Sequence, residues 1–202
     1  MPEPVVRRAR PEDAEPVAHL LYASSAALYD SYAGSREAAL RSLRAAFGRP
    51  GNTASAEVVT VAELDGALAG AMAAFPVREA AARARAFLRL TLGRIPPWRW
   101  PAALGLYRSG DRAAPAPPPA ALYVDALATD PALRRRGAAR ALLADAERRA
   151  RDGGWPWLAL DTAESNDVAQ ALYEREGFRV SERRPPVGDL PGFVAFVKQV
   201  VR

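Results

Sequence analysis

The sequence predicts an α/β domain built on a mixed, twisted sheet with helices on both faces, and three observations carry that prediction. The last third alternates strand, helix, strand and helix, an order that needs a crossover and therefore a parallel strand pair. Two β-rich runs within residues 56–75 flank Asp65-Gly66, a dipeptide suited to a tight antiparallel hairpin. The chain ends on two short runs, FRVSERR and GFVAFVKQV, that pair as terminal strands.

Taken in order, residues 4–10 (PVVRRAR) form a short strand. The stretch PEDAEPVAHLLYASSAALYD follows as a helix, with Val17, Leu20, Leu21 and Leu28 at helical spacing. Glu12 and Asp13 sit in its first turn, where the positive end of the helix dipole favours carboxylates. A second helix covers Glu37 to Phe47 and stops at the turn from Gly48 to Asn52. The hairpin strands lie at about residues 56–64 and 67–75.

After Pro76 the period lengthens. Ala84, Phe87, Leu88, Thr91, Leu92 and Ile95 mark one face of a helix, with Arg78, Arg85 and Arg89 mostly off it. A short helix near Ala102 to Tyr107 and a proline-rich stretch complete a segment, 78–119, that reads as inserted between strands. LYVDALAT is the next strand, Gly137 to Arg151 a helix, WPWLALDT a strand and Asp167 to Glu176 a helix. In the helix after Gly137, Ala139, Leu142, Leu143, Ala146 and Ala150 form the buried stripe. Arg140, Asp145, Glu147, Arg148 and Arg149 point mostly outward.

At 202 residues the chain is expected to be one domain, 1–202, with ordinary globular composition: half hydrophobic and a quarter charged. No cysteine is present, which excludes a disulfide framework, a thiolate metal site and an acyl-cysteine route. The lone histidine, His19, cannot build a histidine metal cluster, so no metal is expected. The N-terminal residues lack the apolar core of a signal peptide and no segment has the length and apolarity to span a bilayer. The cytoplasm is the expected address. The net charge of +5 is uneven, because residues 78–119 hold eight arginines against Glu79 and Asp111.

The stretch DPALRRRGAARALL, residues 130–143, crowds arginines onto a strand-to-helix turn. Such a turn already exposes unpaired backbone N–H groups at the positive end of a helix dipole, so an anion belongs there. Gly137 lets that anion approach the main chain closely, and flanking arginines add charge and hydrogen bonds; the chemistry suits a pyrophosphate. Neither a P-loop nor a Rossmann fingerprint is present. The spacing is Arg134-x-x-Gly137-x-Ala139.

With this spacing the chain resembles the GNAT acetyltransferase superfamily, whose signature Q/R-x-x-G-x-G/A lies between a strand and a helix. Upstream, LYVDALATDPALRRRG is similar to the family's fourth strand, turn and pyrophosphate loop. Downstream, NDVAQALYEREGF is similar to its second cofactor motif, with Asn166, Ala169, Leu172, Tyr173, Gly177 and Phe178 in position. The resemblance covers residues 120–180. It implies the GNAT fold, with a V-shaped splay between the fourth and fifth strands and the acyl-CoA in the opening.

The same resemblance implies an acetyl-CoA-dependent N-acetyltransferase in which a primary amine attacks the thioester directly in a ternary complex. It assigns Arg134, Arg135, Arg136, Gly137, Ala138, Ala139 and Arg140 to the pyrophosphate, and the backbone of Leu127, Ala128 and Thr129 to the pantetheine arm. A bulge in that strand leaves an N–H free to polarise the acetyl carbonyl. Tyr173 is the expected acid toward the departing thiolate, its alternative role being an aromatic packed on the sheet. Asn166 either meets the pantetheine or caps its helix. The amine must lose a proton to attack, and Asp125 is the candidate base.

The 78–119 segment departs from the family's short turn between the third and fourth strands. It forms a lid, a dimer contact or an aromatic-burying flap, and Trp98, Trp100 and Tyr107 are candidates to line an acceptor pocket. Two other readings compete with the enzyme: a non-catalytic acyl-CoA sensor on the same fold, and, ranked last, a nucleic-acid module using the arginine-rich segment. The acceptor, a small-molecule or peptide amine, is not defined by the sequence.

Overall fold

The computed structural model describes residues 3–113, 115–187 and 190–200, with the backbone alone for 109–113. Seven strands form one sheet: β1 (Val5–Arg8), β2 (Val59–Leu64), β3 (Ala67–Pro76), β4 (Ala121–Thr129), β5 (Trp157–Ala163), β6 (Arg179–Arg184) and β7 (Phe193–Gln199). Their order is β1-β2-β3-β4-β5-β7-β6. Every neighbouring pair is antiparallel except β4 and β5, which are parallel as the strand–helix–strand pattern requires.

Local chemistry sets the turns. Asp65 (φ 52°) and Gly66 (φ 80°) both take left-handed backbone angles, the geometry of a two-residue hairpin between β2 and β3. The first of those strands starts at Val59 rather than 56, because Asn52 and Ser55 hold residues 54–58 in a turn: Asn52 Oδ1 accepts from the Ala54 N–H and Ser55 O from the Val58 N–H.

The described residues form seven α-helices: α1 (Ala14–Ser24), α2 (Ala26–Ala33), α3 (Arg36–Phe47), α4 (Val77–Leu92), α5 (Trp100–Ala113), α6 (Ala138–Asp152) and α7 (Asp167–Arg175). One face of the sheet carries α6 and α7, whose Leu142, Leu143, Ala146 and Tyr173 bury against Val124, Leu158, Leu160 and Phe196. The other carries α1, α3 and α4, packing Val17, Leu21, Leu43 and Phe47 against Val59, Val61, Ala73 and Phe75. Among the described residues no helix is long and apolar enough to cross a membrane, and no group of three metal-ligating side chains is assembled.

Three expectations change. The single helix expected over residues 11–30 is broken at Ser25 (φ −153°, ψ 53°), where Ser24 Oγ turns back to the Leu21 carbonyl and the backbone restarts as α2. The helix expected near Ala102 to Tyr107 extends from Trp100 to Ala113. On α6, Asp145 is buried rather than outward, and Arg149 bends back to donate to the Ala74 carbonyl and Thr60 Oγ1. The long arginine stem covers apolar surface while its head finds one acceptor on β2 and one on β3.

Candidate active site

The site begins where the sheet opens. The parallel register of β4 and β5 runs from Ala121↔Trp157 to Val124↔Leu160 and ends there, although β4 continues to Thr129 and β5 to Ala163. The two strands therefore part, and a cleft of about 850 Å³ occupies the opening. Ligands of open α/β sheets bind at such points, beyond the carboxyl ends of parallel strands. The first residues past the last pair are Asp125 and Asp161, and both line the cleft.

A bulge sets Asp125 apart. β3 pairs Ala73 with Ala126 and Ala74 with Val124, so Asp125 is an extra residue with no partner on β3. The bulge also shifts the alternation of β4. Leu122 and Val124 join the core under α6, whereas Ala126 joins the core on the other face. The expected bulge in this strand is present, and it falls on the candidate base.

Electrostatics at the fork follow from enclosure. Asp125 is open to the cleft, yet the walls around it remove bulk water; that desolvation and then the charge of Asp161 push its pKa up to about 7. Asp161 is raised by burial, and the Tyr123 hydroxyl, which donates to its Oδ2, partly offsets the rise. Burial and the Asp161 charge hold the Tyr123 phenol well above the usual range, so it remains the donor. Asp161 and Tyr123 escaped the sequence reading. Period-2 alternation through LYVDALAT and WPWLALDT puts Tyr123 and Asp161 on one face of the sheet, a signal available only once the parallel pairing is known.

Tyr173 lies on the opposite wall, in α7. Its ring packs 5.5 Å from Phe196 and 6.0 Å from Phe178, and burial followed by the Asp161 charge pushes its hydroxyl up to about 12. It is both a core aromatic and a cleft-lining phenol. Gly177 (φ 84°) ends α7 in a left-handed cap, with the Phe178 N–H bonding back to the Tyr173 carbonyl. Asn166 caps the other end: Oδ1 accepts from the Ala169 N–H at 3.3 Å and Nδ2 donates to Thr162 Oγ1 at 3.0 Å. Its side chain also borders the cleft.

Of the remaining predicted residues Leu127 alone borders the cleft; Ala128, Thr129 and the turn from Arg134 to Arg140 lie outside its lining. Ala128 and Thr129 pair with Ala71 and Gly70 of β3 and have no partner on the side of β5. The turn into α6 is exposed and strained toward the left-handed region at Arg135 (φ 60°) and Gly137 (φ 86°). The first bond across Gly137 runs from the Ala141 N–H to the Gly137 carbonyl, so the N–H groups of Ala138, Ala139 and Arg140 have no acceptor within the helix. Arg136 is tied to Asp65 at 3.0 Å and Arg140 to Glu176 at 3.5 Å, whereas Arg134 and Arg135 are exposed.

The 78–119 segment does contribute a wall, but through other residues than expected. Arg99, Ala102, Gly105 and Leu106 face the cleft; Trp98 is 78% exposed, Trp100 donates its Nε1 proton to the Leu92 carbonyl, and Tyr107 does not line it. Residue 114 lies outside the described residues.

A mixed sheet forked at its parallel pair defines an α/β protein with a ligand site at the carboxyl ends of its strands. The model described as "Acetyltransferase (GNAT) family" matches residues 25–178, and the chain belongs to that family of acyltransferases. Among solved structures it is similar to an N-acetyltransferase from Staphylococcus aureus Mu50, with 18% identity over 96% of this chain and 99% of that one (TM-score 0.73). It is similar to SsHAT, with 22% identity over 100% of each chain (TM-score 0.70). An apo mutant form of agmatine N-acetyltransferase shares 20% identity over 98% of this chain and 100% of that one (TM-score 0.57). At these identities the likeness is one of fold. No curated protein matches the chain.

Proposed function

We propose that the protein transfers the acetyl group of acetyl-CoA to a primary amine, in a complex that holds both at once. The observation that carries the reading is the fork itself: β4 and β5 part at Val124 and Leu160 into a cleft bordered by Asp125, Asp161 and Tyr173. The residues present fit the donor. The unpartnered edge of β4 at Leu127, Ala128 and Thr129 suits a pantetheine amide chain, and a glycine with φ 86° leaves the main chain of the α6 turn open to a pyrophosphate. Arg134 through Arg140 would hold that pyrophosphate through N–H groups and charge. When bound, acetyl-CoA supplies an activated carbonyl carbon and a thiolate leaving group.

The rest is done by the chain. An alkylammonium cannot attack, so a proton must leave nitrogen first. Asp125 accepts it, and a carboxylate with a pKa of about 7 is a far better base near neutrality than an ordinary aspartate. The bulge at Asp125 frees backbone N–H groups of β4 to steady charge on the carbonyl oxygen. Tyr173, kept protonated by its raised pKa, would give its proton to the departing sulfur, and the second proton lost by the amine nitrogen would restore the phenol. The sequence lacks cysteine, consistent with direct attack and no thioester on the protein.

Calorimetric titration of acetyl-CoA into wild type and a Gly137→Asp variant tests the reading, because that substitution adds bulk and negative charge at a left-handed position beside the proposed pyrophosphate. Binding by wild type that the variant loses supports it; absence of wild-type binding overturns it.

A further inference from the structure

We propose that the acceptor is an amino carboxylate: a small molecule whose amine meets the carboxylates at the fork and whose carboxylate is held by Arg99. The inference rests on the acyl-transfer reading of the cleft and goes beyond it by naming the acceptor's second charged group.

Arg99 is the only cation among the described residues that border the cleft. It is not a loose surface arginine. Its stem lies over Gly34, the left-handed cap of α2, so closely that a Cβ there would come within 3.3 Å of Arg99 Cδ and Nε. One Nη2 proton goes to the Ser31 carbonyl, which fixes the plane of the guanidinium. Its Nε is buried without an acceptor, and among the described residues no carboxylate pairs with it. In a chain where Arg7, Arg44, Arg83, Arg136 and Arg148 all hold carboxylates, this one is fixed in a cavity wall with its charge uncompensated.

The cleft is polarised as a result. Asp125 and Asp161 stand on the sheet at the fork, while Arg99 enters from the wall made by α2 and α5. Arg99 is half-buried with its Nε buried and without an acceptor, and a ligand carrying the opposite charge at that point supplies the missing partner. The guanidinium fork suits a planar carboxylate, with the Nη1 protons and the second Nη2 proton still available. Arg99 lies on the α2 side of the sheet, away from the α6 turn assigned to the pyrophosphate, so the anion it awaits belongs to the acceptor. Leu28, Leu106 and Ala102 border the same wall, which favours an apolar group on the acceptor beside its charged ends.

The test compares acceptors that differ only by the carboxylate: leucine with isopentylamine, phenylalanine with phenethylamine, β-alanine with ethylamine. Wild type, Arg99→Ala and Arg99→Gln are assayed for kcat and KM by thiol release, with acetyl-CoA binding measured separately by calorimetry. Loss of a charge-assisted pair raises KM for the carboxylated member roughly 10- to 100-fold in both variants, collapsing its advantage over the decarboxylated one. Arg99→Gln keeps the stem over Gly34, so a fold defect confined to Arg99→Ala is recognised. Wild type turning over the decarboxylated amines as well as the amino carboxylates, or KM values that ignore Arg99, overturns the proposal. If acetyl-CoA itself does not bind, the acyl-transfer reading has failed. Direct titration of the same acceptor pairs into wild type and Arg99→Gln then decides the carboxylate site alone: preference for the carboxylated member, lost in the variant, upholds it, and equal binding sinks it.

Discussion

The Tyr123 hydroxyl donates a hydrogen bond to Oδ2 of Asp161, joining β4 to β5 just as the two strands part. That bond helps Asp161 keep its charge, and the charge acts on Asp125, one residue past the last strand pair. Two carboxylates so close do not both ionise readily near neutrality.

The first prediction is a pH profile. Asp125 must be deprotonated to accept the amine's proton, so kcat rises through about pH 7. Asp161→Asn removes the negative neighbour and moves that limb to lower pH. Asp125→Asn abolishes the limb and lowers kcat by about 10²- to 10⁴-fold, the usual worth of a general base. The amine's own ionisation is common to all three proteins, so a limb that stays fixed across them would assign it to the substrate and remove Asp125 from the mechanism.

The same group makes a stability prediction of definite sign. The folded-state pKa of Asp125 is raised, so its contribution to stability is present below the unfolded value and is lost as pH rises through about 7. Asp125→Asn escapes that loss. Thermal melts should show the variant more stable than wild type at pH 8 and nearly equal at pH 4; the reverse order would mean that Asp125 is held ionised by a partner. Stability given up at a catalytic position is a common trade.

Tyr173 separates packing from chemistry. Its ring sits between Phe178 and Phe196, so Tyr173→Phe keeps the core and removes only the hydroxyl. We expect kcat to fall by one to two orders of magnitude, about what one proton donor supplies to a good leaving group, with the melting temperature little changed. Tyr173→Ala adds a cavity worth about 3–5 kcal/mol. Full activity in Tyr173→Phe would leave the residue a core aromatic only.

Most of the fold could be read in the chain because its punctuation is strong. Asp65-Gly66 fixed the hairpin, and the alternation after residue 120 fixed the parallel pair. The break at Ser25 was invisible, since the apolar period of α1 and α2 runs on either side of it and only the local backbone marks the change. The site divided in the same way. Motif spacing pointed to Asn166, Tyr173 and the Arg134–Arg140 turn, and Asp125 is the acid on the strand leading to Leu127, all within the stretch of the resemblance. Tyr123 and Asp161 needed the strand register, and Arg99, just before α5, needed its contact with α2 across 68 residues of chain, which no local pattern encodes.

A last prediction concerns a glycine outside every motif. Gly70 faces Thr129 across β3 and β4, and a Cβ there would stand 3.0 Å from the Ala128 carbonyl oxygen and 3.2 Å from Leu142 Cδ1. Backbone cannot yield as a side chain can, so Gly70→Ala pushes the tail of β4 away from β3. Overpacking of this kind costs about 1–3 kcal/mol, and the melting temperature should fall accordingly. The displaced residues, Leu127 to Thr129, are the edge proposed to hold the pantetheine arm, so KM for acetyl-CoA should rise several-fold while kcat at saturation changes less. A variant that melts lower yet keeps its KM would show that the arm does not depend on that edge.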